Sequence, residues 1–165
     1  MTIVSIGEIT IDHYKQQGLN FIGGISLNFA VNAKRSGAER VSIVSCVGDG
    51  IMGSWALDTL SKENVDISQI SITKGKTAEI DVKIMEDAER FFPAGGYKAN
   101  VLGQLSITNS IQSFINLHDI IVTQFDGVNK SSIVSKILNL QADHSKCVVD
   151  FGDYSDILSL RIPPK

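Results

Sequence analysis

The sequence has no cluster of basic residues. Its 15 Lys+Arg and 18 Asp+Glu leave a net charge of only −3 and are interspersed along the chain. With no positive stripe to follow a phosphate backbone, nucleic acid is excluded as a partner class. Long apolar runs are missing as well. Runs such as Ile120-Ile121-Val122 fall far short of the ~20 residues that span a bilayer, and Met1 leads into a strand-like segment without a charged leader. These absences predict a cytoplasmic protein without a membrane partner. Cys46 and Cys147 each lie in an apolar β-like run with no C-x-x-C spacing, and read as buried free thiols. His13, His118 and His144 form no H-x-x-H or H-E-x-x-H group, so no metal site is expected in the chain. Two nucleotide fingerprints are also absent: no G-x-G-x-x-G follows the first strand, and no G-x-x-x-x-G-K-[ST] occurs anywhere. A Rossmann dehydrogenase or P-loop enzyme is thereby disfavoured.

What is present is α/β punctuation. The 165 residues, 43% hydrophobic, fit one domain that buries about 70% of its unfolded surface. Thr2 to Ile6 is β-branched and apolar, ends at Gly7, and reads as a buried strand. Leu27, Ala30 and Val31 recur at helical spacing, with Ser26 as the expected N-cap and Gly37 as the stop. Val41 to Val47 is a second strand, and Trp55, Ala56 and Leu60 mark a second helix. From Thr77 to Met85 the apolar residues alternate with polar ones, as in a sheet wet on one face. Glu86 to Glu89 forms a turn, Arg90 to Phe92 a return strand, and Pro93 to Gly96 a loop, which together predict a hairpin flap. Further on, 107–117 and 131–140 read as helices, and 119–125 and 147–151 as strands. Strands separated by helices imply βαβ crossovers and a mostly parallel sheet covered on both faces.

Ligand-binding candidates gather near the first helix. Gly23-Gly24 enters it and lets backbone approach a ligand, although a Gly-Gly pair before a helix also serves as a plain turn. Asp12 follows the first strand at the carboxyl end of the sheet, where open α/β folds bind ligands; the alternative is a solvated turn residue. Asn28 both donates and accepts, so Asp12 and Asn28 together suit the vicinal diol of a neutral polyol.

The run Gly23-Gly24-x-x-x-Asn28-x-Ala30, then Gly37-Ala38, Ser45 to Gly50, Gly53 and Val65-Asp66-Ile67, resembles the first signature of the PfkB-family carbohydrate kinases and its flanks. Gly7-Glu8 with Asp12 is similar to that family's first strand and sugar-contacting aspartate, and Thr77 to Phe92 to its β-lid. Ser26 stands where the signature prefers Gly, Ala or Pro, and the spacing from Gly37 to Gly48 is one residue longer than usual. The resemblance implies a three-layer α/β/α ribokinase-like fold with a mostly parallel sheet, truncated, and lid segments at about 12–22 and 76–97. It also implies that Asp12, Gly24 and Asn28 contact sugar hydroxyls, that Thr10 and Ile25 line the pocket, and that Arg90, Phe92 and Tyr97 reach the substrate from the lid. Gly48-Asp49 and Val149 to Asp153 with Asp156 look most similar to fructoselysine and related fructosamine kinases. Ribose, fructose, 2-keto-3-deoxygluconate and nucleosides stay open as substrates.

The family's phosphoryl transfer from ATP with Mg²⁺ depends on a D-T-x-G-A-G-D motif whose last aspartate is the base and whose glycine amides hold the phosphoryl charge. That motif does not occur here. The resemblance therefore places the catalytic base, the ATP site and the Mg²⁺-associated N-x-x-E motif beyond Lys165. Losing a base costs ~10²–10⁴-fold and losing an oxyanion-type donor another ~10²–10³, so the chain alone is expected to be inactive. The other readings are a non-catalytic sugar-binding or oligomerising module, and an inactive gene fragment. Ile80, Val82 and Ile84 either pack on the protein's own sheet or bury against a second subunit in a homodimer through the lid.

Overall fold

The computed structural model describes residues 1–124 and 145–150; the helix expected over 131–140, and Phe125 and Phe151 at the ends of two expected strands, lie outside them. The main sheet is built from β1 (Thr2–Ile6), β4 (Arg40–Gly48), β5 (Asp66–Thr73), β10 (Ile120–Gln124) and β11 (Lys146–Asp150). These strands run parallel in the order β11-β10-β1-β4-β5. Every residue of β4 except Arg40 is buried, as a central strand covered on both faces requires.

Side-chain alternation along the strands assigns the layers. Ile3, Val41 and Ile43 share a core with Leu27 and Ala30 of α1 (Ile25–Arg35) and Ala56 and Leu60 of α2 (Ile51–Lys62). Val4, Ile6 and Val44 point the other way and pack with Ile115 of α3 (Asn109–Ile115). Right-handed crossovers account for this: the chain moves in one direction from β1 to β4 to β5, laying α1 and α2 on one face, then returns to β10 with α3 on the opposite face. Strand order therefore reverses between β1 and β10.

Both long helices stop by the same hydrogen-bond geometry. After α1, Ala38 N–H reaches the Ala33 carbonyl at 3.2 Å and Gly37 N–H the Lys34 carbonyl at 3.0 Å, a Schellman motif around Gly37 at φ +94°. After α2, Asn64 holds the left-handed position at φ 57°, and Val65 and Asn64 donate to Leu60 and Ser61 at 3.1 and 3.0 Å. The N-terminus of α1 differs from the sequence expectation. Gly24, not Ser26, is the cap residue, at φ +105°, and Ser26 is buried inside the first turn. A glycine-only φ turns the chain straight from strand to helix and leaves the serine no capping role.

A second sheet stands apart, ordered β3-β2-β6-β9 from β3 (Leu19–Gly23), β2 (Thr10–Tyr14), β6 (Ala78–Asp81) and β9 (Tyr97–Lys98). The strand expected over 77–85 is broken: Val82, 1% exposed, donates its N–H to the His13 carbonyl at 2.9 Å. Beyond it, β7 (Lys83–Ile84) pairs with β8 (Arg90–Phe91) in a separate hairpin. β5 has no counterpart in the sequence expectations. Its Ser and Gln residues hide the apolar pattern, and its register slips against β4 between Ser42 and Val44, where Asp66 Oδ1 accepts from Ser68 N–H at 3.0 Å.

Candidate functional site

Asp12 lies within β2 and not in the turn at the carboxyl end of the main sheet. The β-branched and aromatic segment Thr10–Tyr14 finds partners on both sides and leaves that sheet for the smaller one. Directly paired residues share a face, so Phe21, Asp12, Ile80 and Tyr97 form one cross-strand row, and Gly23, Thr10 and Ala78 form the next. Ile11, His13, Glu79, Asp81 and Lys98 occupy the other face. That face is polar: His13 pairs with Asn20 (2.6 Å) and Glu79 (3.3 Å), Lys98 with Glu79 (3.0 Å), and Lys15 with Asp81 (2.6 Å).

On the opposite face the Asp12 carboxylate is held from two sides. Thr10 Oγ1 donates to its Oδ1 at 2.8 Å, and the bare Cα of Gly23 lies beneath it, where a Cβ would stand 2.6 Å from Oδ1. Burial pushes the Asp12 carboxyl above its ordinary value, partly offset by the Thr10 hydroxyl and by the positive charges of Arg90 and His13. A carboxylate short of solvent is a strong acceptor for ligand hydroxyls, because hydrogen bonds to charged groups are worth ~1.5–3 kcal/mol.

From Gly23 the chain runs into α1. Gly24 is pressed against the Glu8 carbonyl, 2.6 Å from where its Cβ would be, so only glycine fits. Its own carbonyl accepts the Asn28 N–H at 2.9 Å. The first helical N–H, that of Ile25, goes to Glu8 Oε1 at 3.2 Å, an anion at the positive end of the helix. Sequence reasoning noted Glu8 only as part of a motif; the cap spans 17 positions and leaves no local signal. Ile25 and Asn28 then line a cavity of about 550 Å³ together with Ser5, Ser26, Thr123 and Asp150. Its volume falls in the range of about 300–1,000 Å³ typical of small-ligand sites.

The structure thus joins Thr10 and Asp12 directly, brings the Arg90 charge to bear on Asp12 and sets Tyr97 in the same row; Asn28 lies past the Gly23-Gly24 turn, in a cavity whose lining does not include Asp12. Phe92 follows β8 and is 45% exposed. The Gly48-Asp49-Gly50 run turns out to be an anchor. Gly48 N–H donates to buried Thr77 Oγ1 at 3.0 Å, Asp49 Oδ1 accepts from Gly75 N–H at 3.1 Å, and Gly53 sits directly on the Gly48 carbonyl. These contacts fasten the root of β6 to the start of α2. Among the described residues no three His, Cys, Asp or Glu side chains converge as metal ligands.

The model of the pfkB family carbohydrate kinases matches residues 2–150. The chain is 30% identical over 126 residues to fructosamine kinase FrlD of Bacillus subtilis (strain 168), aligning 74% of this chain with 43% of that protein. Against fructoselysine 6-kinase of Escherichia coli (strain K12) it is 29% identical over 120 residues, 73% of this chain and 44% of that one. A sugar kinase of Pyrococcus horikoshii solved in complex with ATP superposes with a TM-score of 0.68 at 21% identity, over 96% of this chain and 53% of that chain. The likeness in structure is one of fold. The chain spans less than half the length of the curated relatives it matches.

Proposed function

Because this chain belongs to the pfkB family of carbohydrate kinases, we propose that it carries the acceptor-sugar portion of an ATP-dependent kinase site, with a fructosamine such as fructoselysine as the sugar. The observation that carries this reading is the Asp12 carboxylate, bound by Thr10, seated on Gly23 and partly desolvated. In this reading Asp12 and Asn28 accept and donate to sugar hydroxyls, Gly24 brings backbone close, Thr10 and Ile25 line the pocket, and Arg90, Phe92 and Tyr97 close over it from the small sheet. The chain then forms one domain with the small sheet as its lid, in segments about 12–22 and 76–97. The fructosamine assignment is supported by the names of the two curated relatives. ATP as phosphoryl donor is supported by the complex of the Pyrococcus protein. No residue of this chain is assigned to the base, to ATP or to Mg²⁺, so we place phosphoryl transfer outside it.

A second role, self-association, is favoured by one feature of the same sheet. Leu19 and Phe21 are 51% and 50% exposed, and they share the Asp12 face with half-buried Ile80. A second copy packed there would bury this face and make a homodimer through the lid. The test of the main reading is a thermal-shift panel of fructoselysine, fructose and ribose, with an ATP turnover assay alongside. Stabilisation by fructoselysine above the other sugars, without sugar-dependent ATP turnover, supports the division of labour; turnover by these 165 residues contradicts it.

A further inference from the structure

We infer that the carboxamide of Gln124 is an additional hydroxyl-binding group of the sugar site, an inference that rests on the acceptor-site reading above. Three observations converge on it. Gln124 ends β10, the strand beside β1 across which strand order reverses. Helices leave the sheet to opposite faces at such a point, so a crevice opens outside the carboxyl ends of the two strands, and open α/β folds bind ligands there. Across the crevice, β1 is followed by Gly7 at φ +142°; a Cβ on Gly7 would lie 2.6 Å from Ser26 Oγ and 3.6 Å from Gln124 Cγ. The glycine therefore leaves room over the end of β1 for the side chains of Ser26 from α1 and Gln124 from β10. The third observation is that Gln124 Oε1 is buried and, among the described residues, has no hydrogen-bond partner.

An unpaired buried amide oxygen raises the free energy of the free protein unless something donates to it. The neighbours connect this group to the cavity already described. Gln124 pairs with Asp150 on β11, and Asp150 lines the same cavity as Asn28 and Ser26. Val122, two residues earlier on the same strand face, also lines it. The terminal torsion of glutamine is broad and two-fold, so the carboxamide can present either its oxygen or its NH₂ to the crevice. That versatility suits a polyol, whose hydroxyls each donate and accept.

The test replaces Gln124 by methionine, of similar length and without polar ends, and follows fructoselysine and fructose by titration calorimetry. The Gln124 side-chain NH₂ resonance, assigned by its disappearance in the variant, is followed in the unaltered chain. The expected result is about tenfold weaker fructoselysine binding by Gln124→Met, an unchanged or higher melting temperature, and a shift of the Gln124 resonance on titration. Equal affinity of variant and unaltered chain, or a still resonance, overturns the inference while the acceptor site stands. A melting temperature lowered by several degrees overturns it too, by showing that the amide supports the fold. If the unaltered chain binds neither sugar, the acceptor-site reading fails and takes this inference with it.

Discussion

Gly23→Ala tests the contact on which the site depends. Gly23 is outside the left-handed region, so an alanine there carries no backbone penalty and the substitution isolates one steric effect. The new Cβ would stand 2.6 Å from Asp12 Oδ1 and 2.7 Å from Cγ, well inside contact distance. Either the carboxylate swings off the Thr10 hydroxyl or the two strands spread. Both routes belong to overpacking, with a typical cost of ~1–3 kcal/mol, which in a chain of this size lowers the melting temperature by about 2–4 °C per kcal/mol. In an Asp12→Ala background the obstructing carboxylate is gone. Gly23→Ala then becomes neutral, or stabilising by about 0.4–1 kcal/mol through reduced freedom of the unfolded chain. Urea denaturation of the two single variants and the double variant reads out a coupling of at least ~1 kcal/mol. Additivity within ~0.5 kcal/mol refutes the claim that Gly23 exists to seat Asp12.

Other consequences are simpler to state. The Asp12 carboxyl is raised in the folded chain by burial, so its stability contribution is full below the unfolded value of 3.8 and is lost as pH rises through the folded value; Asp12→Asn should therefore leave the pH 7 melting temperature unchanged or higher, and a drop of several degrees contradicts it. His118 is fully buried, bonded to Ser42 Oγ at 2.9 Å and the Phe114 carbonyl at 3.0 Å, and burial lowers its pKa from 6.5. Its contribution is present above that unfolded value and lost as pH falls from there toward the folded one, so His118→Gln should flatten the decline in melting temperature between pH 7.5 and 5.5. Gly53→Ala, with backbone in the way at Gly48, should cost ~1–3 kcal/mol, while Gly103→Ala, with open space around it, stays within ~0.5 kcal/mol; denaturation midpoints decide. For the proposed dimer, sedimentation should show two copies for the unaltered chain and one for Phe21→Glu, and a monomeric unaltered chain contradicts it.

Much of the main sheet was legible because its strands are written in β-branched residues and closed by glycine, as at Gly7 and Gly48, and because Gly37 stops α1 where a positive φ is needed. β5 was not legible: an edge strand of alternating Ser, Gln and Ile with a bulge looks like a loop. Ser26 misled as a cap because capping preference cannot register that Gly24 turns the chain first. At the candidate site, residue types near the Gly-Gly turn were readable, yet the seating of Asp12 on Gly23 follows from the β2–β3 pairing. The Glu8 cap and the Gln124 crevice depend likewise on which strands become neighbours, and no window of sequence contains that information.

The central claim, that the Asp12 carboxylate belongs to a sugar-binding site, is tested most directly by calorimetric titration of fructoselysine into the unaltered chain and into Asp12→Ala. The account predicts measurable binding that is lost in the variant while its melting temperature is kept. Binding of equal strength to both, or no binding to either, contradicts it.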